Sequence, residues 1–189
     1  MTTPNTRELL IEATEQLIRA KGFSAFSYAD LEKEIGIRKA SIHYHFPTKE
    51  ALGICVVETY LAHLKAQLDS IDTHTSAAMS RIAAFVDLFT EYRSTGLLPL
   101  CGALASEMTL LPATMQTLTT TYLETQMHWL EKTIQAGADS GEIPSTDNAC
   151  QQAFEILSLL EGASFISWGL QNHGAINGTL INRILGNCS

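Results

Sequence analysis

Apolar positions along this chain recur every three to four residues almost from end to end, and nowhere do they alternate over a strand's length. A period near 3.6 collects such positions on one face of a helix, whereas a half-buried strand needs a period of two. The pattern therefore predicts an all-α fold of about nine helices. Leu10, Ala13, Leu17 and Ala20 mark the first stripe, in a helix over residues 7–21 that Gly22 stops. Ser27, followed three residues later by Asp30, reads as a capping box opening a short helix over 28–35, which Gly36 ends. A second short helix over 38–45 halts before Pro47, which cannot continue the hydrogen-bond ladder. Thr48 caps a long helix reaching about residue 70. Five more follow over about 75–94, 99–111, 113–137, 146–171 and 175–186, separated by glycines and prolines.

Two short helices joined through Gly36-Ile37 make a helix-turn-helix, which sets the outer face of its second helix to enter a DNA major groove. Ile42 and Phe46 lie four apart and face inward with Leu31 and Ile35, leaving Arg38, Lys39, Ser41, His43, Tyr44 and His45 on the other faces. The last two helices carry more than one apolar face, with Ser158, Gly162 and Gly169 as small residues where another helix can approach. That predicts a homodimer built through these helices. The expected division is a DNA-binding domain over 1–48 and a larger helical domain over 49–189.

Charge sharpens this division. The net charge is −8, which opposes bulk attraction to nucleic acid, but acids and bases balance over residues 1–50, so 51–189 carry the whole excess. Arg38, Lys39 and Lys49 flank a stretch without acids. His43 and His45 invite a metal reading, but residues two apart on a helix do not face each other, and no HExxH stands nearby. The four cysteines form no CxxC pair, and GxSxG, GxGxxG and P-loop motifs are absent. The expectation is no metal, no cofactor and no enzyme. No uninterrupted apolar run reaches the roughly 18 residues of a membrane span, and the N-terminus lacks a secretion signal, so a cytoplasmic protein without a membrane partner is expected.

Gly22-Phe23, Ser27-Tyr28-Ala29-Asp30-Leu31, Gly36-Ile37 and KASIHYHFPTKEAL (residues 39–52) together resemble the TetR family of bacterial transcriptional regulators. The resemblance covers about residues 7–52. It implies a homodimeric repressor on a palindromic double-stranded operator, released by a small-molecule effector in the larger domain. Residues 38–45 would be the recognition helix, with Arg38, Lys39, Ala40 and Ser41 approaching bases and phosphates. Lys39 can donate to guanine O6 and N7. Tyr44 and His45 match positions that touch backbone or bases. Ser27 and Tyr28 would donate to phosphate, as would Lys49 and the amides following Thr48. His43 stands where the family most often has tyrosine. An imidazole can take a proton near neutrality, so operator affinity is expected to rise as pH falls from about 7.5 to about 6.

In the larger domain the effector candidates are Phe89, Arg93, Tyr122, Trp129, Glu161 and Trp168, with Cys101, Leu104, Glu107 and Met108 on the predicted 99–111 helix. Glu107 falls near an apolar stripe, where a buried carboxylate needs a partner such as Arg93, Arg81 or a ligand. Cys101, just after Pro99, opens its helix, and some relatives sense oxidants or electrophiles through cysteine. Oxidation or alkylation of Cys101 is thus a second switching scheme. A helical small-molecule-binding protein or enzyme without DNA binding is the reading of another class.

Overall fold

The computed structural model describes residues 5–94, 96–144, 148–171 and 178–186, without the side chains of 91–94. The described residues form nine α-helices, one 3-10 turn and no strand. α1 (Thr6–Lys21) begins with a capping box. The Asn5 side chain accepts from the Glu8 N–H at 3.0 Å, and Glu8 accepts from the Asn5 N–H at 3.0 Å. Its buried stripe is Leu10, Ile11, Thr14 and Ile18, about one position from the expected phase. Leu17 is half-buried and Ala20 exposed. Two adjacent apolar phases are both present in ELLIEATEQLI, and only packing decides between them.

α2 (Tyr28–Ile35) starts at the Ser27–Asp30 box and ends at Gly36, whose left-handed φ of 76° suits a residue without Cβ. α3 (Lys39–His45) ends before Pro47, and in α4 (Lys49–His74) the Ala51 N–H donates to Thr48 Oγ1 at 3.0 Å. α5 spans Ala78–Ser94. The expected 99–111 helix is broken into α6 (Leu100–Ala105) and a 3-10 turn over Met108–Leu110. The Ser106 hydroxyl turns back onto the Ala103 carbonyl at 2.7 Å, offering the backbone an alternative to the helix. α7 (Ala113–Ser140) runs through Gly137, which is a packing glycine rather than a stop. A Cβ there would lie 2.7 Å from both Ala78 Cβ and Ile143 Cδ1. α8 is Ala149–Leu170 and α9 is Gly178–Ile184; the expected starts at 146 and 175 lie outside the described residues.

Packing divides the chain differently from the expected boundary after residue 48. One compact unit holds residues 1–63 and 100–121, the other 64–99 and 122–189. The first unit buries Leu10, Ile18, Phe26, Leu31, Ile42 and Phe46 together with Leu52 and Val57 of α4 and Leu100 and Leu104 of α6. Gly53 admits Phe23 and Met115 to the α4 backbone, where a Cβ would meet their side chains at 2.6 and 2.8 Å. The second unit centres on Ile82, Phe85, Phe89, Trp129, Leu130 and Ile134, with Ile156 and Leu160 of α8. Phe85 and Trp129 stack with centroids 5.4 Å apart. α8 is the one described helix long and apolar enough to cross a membrane, with mean hydropathy 1.2 over an 18-residue window. The absence of an uninterrupted apolar run therefore did not exclude such a helix.

Candidate nucleic-acid interface

α3 is held from beneath and at both ends. Ile42 and Phe46 are buried on its underside against α2, where Leu31 is fully buried and Ile35 half-buried. The Lys39 N–H at its start donates to Glu32 Oε1 of α2 at 3.2 Å. At its end the Tyr28 hydroxyl, itself buried, donates to the Phe46 carbonyl at 2.8 Å. His43 lies edge-on to Tyr28, centroids 4.8 Å apart, with Nδ1 3.2 Å from the Pro47 carbonyl. A carbonyl only accepts, so Nδ1 carries the hydrogen and Nε2 is left for an outside partner. Arg7 closes the far side, its guanidinium 5.2 Å from the Phe46 ring centroid and Nη2 3.0 Å from Cys55 Sγ.

What these supports leave outward is a compact face. Arg38, Lys39, Ala40, His43 and Tyr44 are exposed and Ser41 and His45 half-buried; Tyr44, at 83 % exposure, is the most exposed large apolar side chain among those described. Its ring meets that of His45 edge-on at 5.1 Å. A large aromatic held out in water on a rigid helix marks a contact surface.

Three expected phosphate donors are otherwise engaged. Tyr28 is a strut between α2 and the end of α3. Ser27 Oγ donates to Asp30 Oδ2 at 2.7 Å within the cap. Asp30 also takes Lys21 Nζ at 2.7 Å, and these donors hold its carboxyl far below the usual range. Lys49 Nζ donates to the Ser24 carbonyl at 3.2 Å and lies over Phe23 and Phe26, 4.7 and 4.4 Å from their centroids. Burial pushes its ammonium pKa down, against the pull of Glu107 and Asp30. Its charge serves the fold, and only the amides at the start of α4 remain for an anion there.

Glu107 belongs to this same unit. Its Oε2 accepts from the Ser24 N–H at 2.9 Å, and its carboxylate lies against Gly22, where any Cβ would collide with it. Gly22 has φ 87° and ψ 161°, backbone essentially reserved for glycine. Of its expected partners, Arg81 is held by Asp72 and the Thr75 carbonyl, and Glu107 clamps the α1–α2 turn. The contact joins residues 83 apart in sequence, and no local pattern announces it. Tyr28, Glu32 and Arg7, which fix α3, were equally unmarked as supports.

The expected effector residues are divided between the two units. Cys101 and Leu104 are buried in α6, which packs on α1, and Met108 is half-buried in the 3-10 turn, so these lie in the first unit with Glu107. Phe89, Tyr122 and Trp129 are buried in the second unit, where Trp129 Nε1 donates to Asp72 Oδ2 at 3.2 Å. Glu161 and Trp168 are on α8, the latter 38 % exposed, and the side chain of Arg93 lies outside the described residues. Both Glu161 carboxyl oxygens are closed from water with no hydrogen-bond partner among the described residues, and burial pushes that carboxyl up to about 7.

Residues 10–53 match the model of a family described as bacterial regulatory proteins, tetR family. The HTH-type transcriptional repressor NemR of Escherichia coli strain K12 is 31% identical over 70 residues, 37% of this chain and 35% of that protein. The matched stretch thus spans about a third of that relative's length. Over nearly the whole chain, a TetR transcriptional regulator from Legionella pneumophila superposes with a TM-score of 0.83 at 28% identity, covering 98% of this chain and 96% of that one. A TetR-family regulator from Agrobacterium tumefaciens gives 0.82 at 25% identity, over 95% and 93%.

Proposed function

Because the chain belongs to the TetR family of bacterial transcriptional regulators, we propose that it is a cytoplasmic, homodimeric repressor released from a palindromic operator by a small molecule. The carrying observation is the outward face of α3: Arg38, Lys39, Ala40 and Tyr44 stand exposed on a helix whose underside and both ends are pinned. Lys39 reads base edges, while Arg38, Ser41, Tyr44 and His45 meet bases and backbone. In its imidazolium form, His43 donates Nε2–H to a phosphate while Nδ1–H stays on the Pro47 carbonyl, from a ring steadied by Tyr28. At the start of α4, amides beside Thr48 bind a second phosphate.

The dimer reading is supported by α8 and α9. Phe154, Ile166 and Leu170 of α8 and Leu180 of α9 are 57, 64, 70 and 44 % exposed. A Cβ at Gly162 or Gly169 would meet open space, so both positions are free for a second subunit's helix. Two recognition helices must sit about 34–36 Å apart to reach successive major grooves. An effector that favours a different spacing empties the DNA-competent state by the difference of its affinities for the two states. The alternative switch at Cys101 has burial against it, since the residue is 1 % exposed and a reactive thiol needs access.

The test is fluorescence anisotropy on a duplex carrying the palindrome from the DNA upstream of the coding sequence. Saturable binding that weakens steeply with salt, and weakens further in Lys39→Ala and Tyr44→Ala, supports the reading. Absence of specific binding contradicts it.

A further inference from the structure

The second unit hides a carboxyl that its own fold does not use. Glu161 lies midway along α8, and both of its oxygens are closed from solvent with no hydrogen-bond donor among the described residues. Asp30, Asp72 and Glu107 each hold a partner, and among the described residues Glu161 is the one carboxyl whose oxygens are buried without a hydrogen-bond partner. The charged side chains of the elements packed on α8 do not answer it among the described residues. On α5, Arg81 is taken by Asp72 and by the carbonyls of Thr75 and Asp72, Asp87 is exposed, and the side chains of Glu91 and Arg93 lie outside the described residues. On α9, Arg183 is exposed, and on α8 itself the other charged residue, Glu155, is exposed too.

A buried carboxylate without a partner is strongly disfavoured, so the group either stays protonated or awaits a partner from outside. The surroundings decide which kind of partner fits. Residues 51–189 carry the whole negative excess of the chain, which attracts cations and repels anions. Leu157, Phe165 and Trp168 stand four and seven residues from Glu161 on α8, so the carboxyl shares its side of the helix with apolar and aromatic groups. Aromatic faces favour an organic cation over a hydrated metal ion, and no cluster of three or more metal-ligating side chains exists among the described residues.

We propose that Glu161 is the recognition group for an effector that is an organic cation, an amine carried on an apolar or aromatic body. Its ammonium N–H donates to the Glu161 carboxylate while the body lies against apolar surface. The inference rests on the effector-released reading above and names the class of effector. At pH values where the free carboxyl is protonated, cation binding releases that proton to solvent, so charge and hydrogen balance.

The probe is 2-phenylethylamine, with 2-phenylethanol as its neutral counterpart, each titrated at pH 8 by calorimetry and tryptophan fluorescence. The amine is expected to bind at least tenfold more tightly than the alcohol, and Glu161→Gln is expected to abolish that preference. The Glu161 carboxyl is followed independently by carbon NMR across pH. It is expected to titrate well above exposed glutamates in the free protein and to shift downward with saturating amine. Equal binding of amine and alcohol, no binding of either, an unchanged preference in Glu161→Gln, or titration with the exposed glutamates would overturn the proposal. Operator binding measured without amine, in wild type and Glu161→Gln, keeps the two readings apart. It tests the regulator without reference to Glu161, whereas the amine titration needs no DNA.

Discussion

Tyr28 separates two accounts of one residue. As a phosphate donor, its loss would weaken operator binding and leave the fold intact. As the strut seen here, with its hydroxyl on the Phe46 carbonyl, Tyr28→Phe is expected to cost about 1 kcal/mol in urea unfolding. Glu107 makes a parallel case. Glu107→Gln weakens a charge-assisted bond to Ser24 N–H and removes the pull on Lys49, for an expected loss of about 1 kcal/mol. Gly22→Ala forces a Cβ against that carboxylate at a φ reserved for glycine, so roughly 2 kcal/mol or more is expected. Gly22 stands where a helix stop was expected, whereas Tyr28, Lys49 and Glu107 were expected in other roles. Tyr28 and Lys49 sit at positions where donors are expected, and only the fold reveals that Phe46, Ser24, Phe23 and Phe26 have claimed them.

At the scale of elements, the local signals were sound around the helix-turn-helix. The Ser27–Asp30 box, Gly36, Thr48 and Pro47 place α2, α3 and the start of α4 because each acts through its own backbone neighbours. The signals failed where distant packing ruled. Gly137 stays helical because Ala78 and Ile143 press on it, and the 99–111 helix breaks where Ser106 and Glu107 find other partners. α8 bears the sharpest element-scale expectation. Its open apolar face should lose association when charged, so Ile166→Lys with Leu170→Lys is expected to halve the mass in analytical ultracentrifugation. A variant that keeps the wild-type mass would place the interface elsewhere.

For the whole molecule, pH reaches stability through Glu161. Its folded pKa, about 7, lies above the usual 4.5 of glutamate, so the folded state holds the proton more tightly than the unfolded chain. The contribution is therefore complete below about 4.5 and is lost as pH rises through about 7, by on the order of 3 kcal/mol at most. Urea midpoints should fall between pH 5 and pH 8, with a smaller fall in Glu161→Gln. Equal slopes would remove Glu161 from the account. The charge asymmetry has its own consequence. A chain of net charge −8 approaches DNA through the few cations around α3, so binding should be steeply salt-dependent. The most direct measurement is anisotropy of wild type, Lys39→Ala and Tyr44→Ala on the upstream palindrome, at two salt concentrations. Saturable wild-type binding that weakens with salt, and at least tenfold loss in each variant with unchanged unfolding, is expected. Wild-type affinity in both variants, or binding indifferent to salt, would contradict α3 as the DNA-reading helix.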